Sequence, residues 1–168
     1  MVKIHERKFV SVDADKCVGC QICEYVCSYV KEKAFNPLKS RIRVVRINHL
    51  TNMSITCRLC EDPRCVVACP RDALTQSEET GAIMVDVDEC NGCGWCIEAC
   101  DYGAIMLHPE SKIVYVCDLC KDKPDGPQCV KWCPEEALTL VTSDVLAQKA
   151  RIGAVKKLFP ESKTQTTT

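Results

Sequence analysis

Cysteine is the residue type with the most obvious chemistry in this chain, whose 168 residues include sixteen cysteines in four groups of four. In chain order, motif one is Cys17, Cys20, Cys23 and Cys27, motif two is Cys57, Cys60, Cys65 and Cys69, motif three is Cys90, Cys93, Cys96 and Cys100, and motif four is Cys117, Cys120, Cys129 and Cys133. Motifs one and three share the spacing C-x2-C-x2-C-x3-C. Thiolates packed this closely are typical of loops that hold a [4Fe–4S] cubane.

The geometry of one motif predicts that its fourth cysteine serves a different cluster from the first three. Three thiolates at two-residue intervals can wrap one cubane, while the fourth begins or sits on a short helix directed away from it. The motifs must therefore work in pairs. Residues 57–100 have the form of a complete two-cluster unit. Motifs two and three are expected to pair with each other, and motifs one and four to form the flanking pair.

Exchange of the fourth cysteines within these pairs predicts four ligand sets, which we call sites 1 to 4. They are Cys17, Cys20, Cys23 and Cys133 for site 1, Cys27, Cys117, Cys120 and Cys129 for site 2, Cys57, Cys60, Cys65 and Cys100 for site 3, and Cys69, Cys90, Cys93 and Cys96 for site 4. One [4Fe–4S] cluster is expected in each site. No thiol then remains as a nucleophile, and no dinucleotide fingerprint, Walker motif or catalytic triad appears. The sequence therefore predicts electron transfer without a catalytic centre.

Disulfides and zinc are the alternative explanations for so many cysteines. A disulfide scaffold is typical of secreted chains, but residues 1–10 lack the apolar run of a signal peptide and a twin-arginine pair. We therefore predict a cytoplasmic protein, in which such cysteines bind metal. Structural zinc uses two C-x2-C pairs separated by a longer stretch, so the tight quartets suit a cubane better. A zinc-binding interaction module is kept as a remote alternative.

Charge and hydropathy limit the partners. The formal net charge is -1 with neutral thiols, and each cluster with its four thiolates would add about -2, giving a holoprotein of about -9. This charge, and the absence of a basic, aromatic-rich stripe, argue against a nucleic-acid partner. No stretch approaches the ~20 apolar residues of a membrane span.

An internal repeat organises the chain. Residues 12–29 match residues 87–102, and residues 57–75 match residues 117–139. The repeat predicts an α+β fold of duplicated, bacterial-ferredoxin-like form. Two pseudo-symmetric dicluster units, made of short β-hairpins and short helices, would surround the four cubanes.

The domain boundaries follow from the repeat. Residues 1–144 are expected to form the four-cluster domain, with an inner unit at 57–100 and an outer unit that joins 9–30 to 113–142. Residues 145–168 are expected to add a C-terminal helix and a disordered tail.

Local patterns predict mostly short strands. The expected strands are Phe9–Val12, Leu74–Gln76, Ile83–Val87, Ala104–Leu107, Ile113–Val116 and Leu138–Val141. Gly81 and the His108–Pro109 pair indicate two hairpin turns, and a helix is expected over Val145–Phe159, capped by Ser143 or Asp144. This helix and an arginine-rich stretch with Arg41, Arg43 and Arg46 are the candidates for partner docking, with a solvated edge strand as the alternative.

These motifs resemble the four-cluster electron-transfer subunits of molybdenum and tungsten pterin oxidoreductases, over about residues 9–142. Ser28 and Asp101 stand where a proline usually follows the fourth cysteine. The short chain is most similar to the small soluble versions that accompany tungsten-dependent aldehyde oxidoreductases. The resemblance implies that motifs one and four pair, as do two and three, in agreement with the spacing.

The resemblance also implies partners. The chain would relay single electrons between a large catalytic oxidoreductase subunit and a redox acceptor, such as a flavin or ferredoxin-type protein. Similar subunits serve some hydrogenases and carbon monoxide dehydrogenases, and these two enzymes, or a free polyferredoxin that diffuses between enzymes, are the alternatives.

Overall fold

The computed structural model of the chain describes residues 7–48 and 51–158, which form five helices, eight strands and one 3-10 turn. The helices are α1 (Ile22–Glu32), α2 (Arg64–Val67), α3 (Trp95–Glu98), α4 (Gln128–Lys131) and α5 (Ser143–Leu158), and the 3-10 turn is Pro37–Lys39. The strands are β1 (Lys8–Val12), β2 (Arg43–Arg46), β3 (Asn52–Ile55), β4 (Leu74–Gln76), β5 (Ile83–Val85), β6 (Met106–Leu107), β7 (Val114–Tyr115) and β8 (Leu138–Thr142).

The strands pair as antiparallel ribbons of two, and the pairing joins the ends of the chain. Strand β1 pairs with β8, so that Val10 lies opposite Leu140. The other pairs are β2 with β3, β4 with β5, and β6 with β7. A two-stranded ribbon is marginally stable by itself in water, so each ribbon depends on what it packs against.

The two halves of the chain pass through the same order of elements. In each half a strand leads into a cysteine motif with its helix, a strand pair follows, and a second motif and helix lead into a further strand. The pairing of β8 with β1 corresponds to that of β4 with β5. Helix α1 contacts α4, and α2 contacts α3. The elements around motif one therefore meet those around motif four, and the elements around motif two meet those around motif three.

The core is small and contains cysteines. A larger group of buried residues, including Phe9, Leu74 and Ile83, contains Cys57 and Cys96. A smaller group, built around Val10, Ile42 and Leu138, contains Cys23, Cys27 and Cys129. The thiols thus occupy core positions that aliphatic side chains fill in most proteins. A metal or cluster that binds these thiols therefore contributes directly to the stability of the fold.

The predicted strands are confirmed in position, and some were predicted to be one or two residues longer than the observed strands. Strand β4 has the predicted bounds, whereas β6 and β7 are shorter than expected because the ladder between them has only two residue pairs. Strand β3 was not predicted. Its sequence, Asn-Met-Ser-Ile, alternates, but two of its inward-facing residues are polar.

The predicted C-terminal helix is present as α5. It contacts β8, and Leu146 packs against the larger core group. Val145, Ile152, Val155 and Leu158 are 46–74% exposed. The expected helix end at Phe159 and the disordered tail lie outside the described residues.

A buried ion cluster ties α1 to motif four. Lys31 Nζ lies 2.7 Å from Asp118 Oδ2, and Arg41 Nη1 lies 3.0 Å from the same oxygen. Burial pushes the pKa of Asp118 upward, but the Lys31 hydrogen bond and the Arg41 charge outweigh it, so the pKa is lowered. Asp118 Oδ1 also accepts a hydrogen bond from the Cys120 backbone N–H at 3.1 Å. The ionised carboxylate therefore shapes the loop between Cys117 and Cys120.

Candidate metal centres

All four cysteine loops share one backbone feature. The residue directly before the second cysteine has a positive φ of 51–70° in each motif, and these residues are Gly19, Leu59, Gly92 and Leu119. Glycine adopts this conformation freely, whereas leucine pays a strain of about 1–3 kcal/mol. Strain of this kind persists only where the surroundings hold the backbone in place. The four motifs therefore share the same local backbone turn.

Gly92 is the tightest of these turns. A Cβ atom there would lie 2.0 Å from the Lys112 carbonyl oxygen, with φ at +68°. Glycine is therefore required at this position, because the clash is with backbone that cannot move independently.

We expect Gly92→Ala to remove iron from motif three, because the loop must open to relieve the clash. The measurement is iron per chain after anaerobic purification, with a loss of about four atoms expected. Gly126→Ala is the matched control, since Gly126 has φ +74° but nothing within 4 Å of the added Cβ. Equal iron contents in the two variants would contradict this view of the loop.

A helix holds the third cysteine of every motif, and in motif one this is Cys23 within α1. Cys65, Cys96 and Cys129 lie within α2, α3 and α4, and the fourth cysteine of each of these three motifs follows its helix by two residues. The expectation that the fourth cysteine begins or sits on a helix is correct only for Cys27, which lies within α1. The reason is length, because α2, α3 and α4 are single turns of four residues.

The four cysteines predicted for site 1 line one cavity, together with Ser54 and Val44. Cys133 reaches this cavity from a position more than a hundred residues along the chain from motif one. Burial raises the pKa of Cys23 to about 11, and the Ser54 hydroxyl opposes the rise. The thiol is therefore neutral in the cluster-free chain at pH 7, and it must lose a proton to become an iron ligand.

The four cysteines predicted for site 2 are neighbours of one another. Burial raises the pKa of Cys129 well above its ordinary value, and the nearby thiols of Cys117, Cys27 and Cys120 raise it further. Burial likewise raises the pKa of Cys117 to about 11. Three of these four cysteines are buried and none is exposed, which makes site 2 the most sheltered of the four.

The members of sites 3 and 4 also lie together. Burial raises the pKa of Cys65, with further contributions from Cys100 and Cys60. Burial raises the pKa of Cys57 to about 12, and Cys65 and Cys60 add to the rise. The four cysteines predicted for site 4, Cys69, Cys90, Cys93 and Cys96, line a single cavity.

Adjacent groups are close enough to influence each other electrostatically. Besides burial, Cys23 of site 1 contributes to the raised pKa of Cys129 in site 2. Cys117 of site 2 contributes to that of Cys57 in site 3. Cys65 of site 3 contributes to that of Cys96 in site 4. The thiols thus form a continuous series from site 1 to site 4.

The surroundings of the thiols are suited to bound thiolates, which accept hydrogen bonds. The backbone N–H of Arg41 donates to Cys27 Sγ at 3.3 Å, and that of Ala104 donates to Cys100 Sγ at 3.4 Å. All sixteen cysteines are free thiols, so none is held in a disulfide. In the described residues no three His, Cys, Asp or Glu side chains are arranged to hold a single metal ion.

One thiol is exposed in each of sites 1, 3 and 4, and these are Cys20, Cys60 and Cys93. Trp95 and Trp132, which directly precede cysteines, are 63% and 60% exposed. His108 belongs to the turn between β6 and β7, where its Nδ1 accepts hydrogen bonds from two backbone N–H groups.

Docking through the arginine-rich stretch stays a prediction, and the structure shows that its three arginines also make contacts within the chain. Arg41 pairs with Asp118, and Arg43 donates to the carbonyl oxygens of Pro37 and Leu38. Arg46 donates to the Gly19 carbonyl at 2.7 Å. The stretch therefore braces the loop of motif one.

Comparison with known families identifies the class of protein. The model of the 4Fe-4S dicluster domain family matches residues 49–143, which is more than half of the chain. The chain belongs to this family, so it is an iron–sulfur protein of the ferredoxin type. The zinc-binding module is thereby set aside.

Three curated relatives are similar in sequence to this chain over most of its length. The polyferredoxin-like subunit of aliphatic sulfonate oxidoreductase from Pyrococcus furiosus is 40% identical over 84% of this chain and 82% of its own length. Electron transport protein HydN of Escherichia coli is 32% identical over 84% and 91%. The thiosulfate reductase electron transfer subunit PhsB of Salmonella typhi is 30% identical over 75% and 71%.

Among solved structures, the chain is similar to one chain of the active site complex BamBC of benzoyl coenzyme A reductase in complex with benzoyl-CoA. The matched chain is 26% identical, with 90% of both chains covered and a TM-score of 0.47.

Within residues 7–48 and 51–158, none of the helices combines the length and apolar character needed to cross a membrane.

Proposed function

We propose that the chain is an electron-transfer subunit that carries four [4Fe–4S] clusters and has no catalytic centre of its own. It relays single electrons between a catalytic partner subunit and a redox acceptor. The partner is a tungsten or molybdenum pterin oxidoreductase, such as an aldehyde oxidoreductase. The fold is a duplicated ferredoxin-like one, in which residues 57–100 form the inner dicluster unit and the segments 9–30 and 113–142 form the outer unit.

The proposed ligands are the four sets of sites 1 to 4, with the fourth cysteines exchanged between paired motifs. The donor chemistry supports this assignment, since each set supplies four thiols and backbone N–H groups point at sulfur in sites 2 and 3. When bound, the clusters supply one-electron redox chemistry. The chain's own residues position the thiolates, exclude water from site 2 and set the spacing between sites.

The observation that carries the proposal is the continuous series of thiols from site 1 to site 4. Neighbouring sites influence each other through the pairs Cys23–Cys129, Cys117–Cys57 and Cys65–Cys96. A chain that only stored or bound iron would have no need to place its sites beside one another. Sites 1, 3 and 4 each have one exposed thiol, and these are Cys20, Cys60 and Cys93.

The names of the relatives support a subunit of an oxidoreductase complex. One is a polyferredoxin-like subunit of a sulfonate oxidoreductase and another is the electron transfer subunit of a thiosulfate reductase. The pterin class of the partner rests on the resemblance of the cysteine motifs. A subunit serving a hydrogenase or carbon monoxide dehydrogenase, or a freely diffusing polyferredoxin, is the alternative.

The test is a redox titration of the anaerobically purified full chain, followed by electron paramagnetic resonance. Four one-electron transitions are expected, and fewer than four would overturn the four-cluster assignment. Purification of the native protein at low ionic strength separates the partner classes. An obligate subunit arrives with a large pterin-containing chain, whereas a polyferredoxin arrives alone.

A further inference from the structure

We propose that two hydroxyl groups on one strand, those of Ser54 and Thr56, donate hydrogen bonds to ligand thiolates of sites 1 and 2 and raise the reduction potentials of the clusters there. Ser54 belongs to β3 and Thr56 follows its end. Both act through the cysteines and are positioning residues. The inference rests on the proposed function, because it concerns the bound clusters.

Ser54 stands between two thiols of motif one. Its Oγ lies 3.7 Å from Cys23 Sγ and 3.9 Å from Cys17 Sγ, and its side chain lines the cavity of site 1. The residue is 3% exposed, so water does not compete for the hydroxyl. A hydroxyl can donate or accept, but an iron-bound thiolate has no proton and can only accept. With a cluster present, Ser54 is therefore the donor.

Thr56 has the corresponding role at site 2. It is 4% exposed, and its Oγ1 is the buried side-chain oxygen or nitrogen that lacks a hydrogen-bond partner among the described residues. The Cys117 thiol lies near the Thr56 hydroxyl. Buried polar groups normally find a partner. The Cys117 sulfur, once it is a thiolate, is the acceptor that this hydroxyl otherwise lacks.

The internal repeat supplies a comparison within the same chain. Ser54 and Thr56 precede Cys57 by three residues and one residue, and the same offsets from Cys117 fall on Val114 and Val116. Both valines are as buried as the hydroxyl residues, at 2% and 3% exposure. Val114 lines the cavity of site 4, as Ser54 lines that of site 1. Valine has no donor, so only one half of the chain has hydroxyls at these two positions.

The consequence for electron transfer follows from charge. Reduction adds a negative charge to a cluster, and a donor to its sulfur stabilises the more negative state, which raises the potential. Sites 1 and 2 are thereby favoured over sites 4 and 3. At equilibrium an electron on the chain resides preferentially in the half that is held by motifs one and four.

The experiment compares reduction potentials in variants of the full chain, prepared anaerobically and titrated with detection by electron paramagnetic resonance. Ser54→Ala and Thr56→Val are each expected to lower one potential. The expected size is about a tenfold shift in the reduced-to-oxidised ratio at fixed potential, or about 59 mV for a one-electron couple. Val114→Thr, which adds a hydroxyl at nearly constant volume, is expected to raise one potential.

Two controls separate this effect from simple loss of structure. Ser11→Ala removes a serine that is 5% exposed and lies on β1, outside the residues that line the site 1 cavity, and is expected to change no potential. Ser54→Thr keeps the hydroxyl and is expected to preserve the wild-type value. Iron per chain is measured for every variant. If Ser54→Ala loses iron, Thr56→Val and Val114→Thr decide the question by themselves.

Unchanged potentials in fully loaded Ser54→Ala and Thr56→Val proteins would overturn the inference and leave the proposed function intact. A wild-type chain without clusters would instead overturn the proposed function. Potentials that fall in the two hydroxyl variants and rise in Val114→Thr support the inference.

Discussion

Removing iron from the purified chain with a chelator is expected to unfold it. The ribbons are two-stranded and three of the five described helices are single turns, so backbone structure alone supplies little stability. The two core groups include five buried cysteines, Cys23, Cys27, Cys57, Cys96 and Cys129. Cys23 and Cys96 line the cavities of sites 1 and 4, and a bound cluster would link them to the other thiols there. Binding free energy is then folding free energy.

The measurement is circular dichroism in the far ultraviolet during anaerobic chelation, with iron followed in parallel. Ellipticity and iron should fall together and should return on reconstitution with iron, sulfide and a reductant. Treatment of the chain with the same chelator pre-saturated with iron is the control for binding of the chelator itself. An iron-free chain that kept its secondary structure and cooperative thermal transition would contradict this expectation.

Exchange of fourth cysteines between motifs predicts which double variants lose one cluster and which lose two, as measured by iron per chain. Cys133 is assigned to site 1 with Cys20, although it belongs by sequence to motif four with Cys120. Cys133→Ala and Cys20→Ala should therefore disable the same cluster. Each single variant should retain about twelve of sixteen iron atoms, and the double variant should also retain about twelve.

The matched control pairs Cys133→Ala with Cys120→Ala. These two residues are assigned to sites 1 and 2, so this double variant should retain only about eight iron atoms. Motifs that each held their own cluster would give the reverse, with about eight atoms for the first pair and about twelve for the second. Iron per folded chain, measured on anaerobic protein, distinguishes the two arrangements without any assay of activity.

Cysteine spacing made the candidate sites predictable from sequence. The tight quartets indicated cubane ligands, and the order of motifs indicated which ones meet, because a cubane restricts the separation of its ligands along the chain. The strands that flank the motifs were also predictable, since Leu74–Gln76 and Leu138–Val141 are short segments bounded by turn residues. Both signals are local.

Features that depend on distant contacts were not predictable. Leu59 and Leu119 adopt a positive φ that leucine alone would not suggest. Ser54 lies in a short strand whose inward-facing residues are polar, and Thr56 follows that strand. The importance of the two residues appears only when Cys23 and Cys117 are beside them. In each case tertiary contacts override the local preference of the residue.

The contacts of the arginine-rich stretch were also not predictable from local sequence. A cluster of basic residues in a spacer is typical of an exposed surface, yet Arg41 belongs to a buried ion cluster and Arg46 holds the Gly19 carbonyl. The carboxylate that accepts Arg41, Asp118, lies 77 residues away in the sequence. Charge composition by itself does not reveal a partner at that separation.

The most direct test of the central claim is the iron and acid-labile sulfide content of the anaerobically purified full chain. Four [4Fe–4S] clusters predict about sixteen iron atoms and about sixteen sulfides per chain, with no stoichiometric zinc. A content of about eight of each, or zinc in place of iron, would contradict a relay built on all sixteen thiolates.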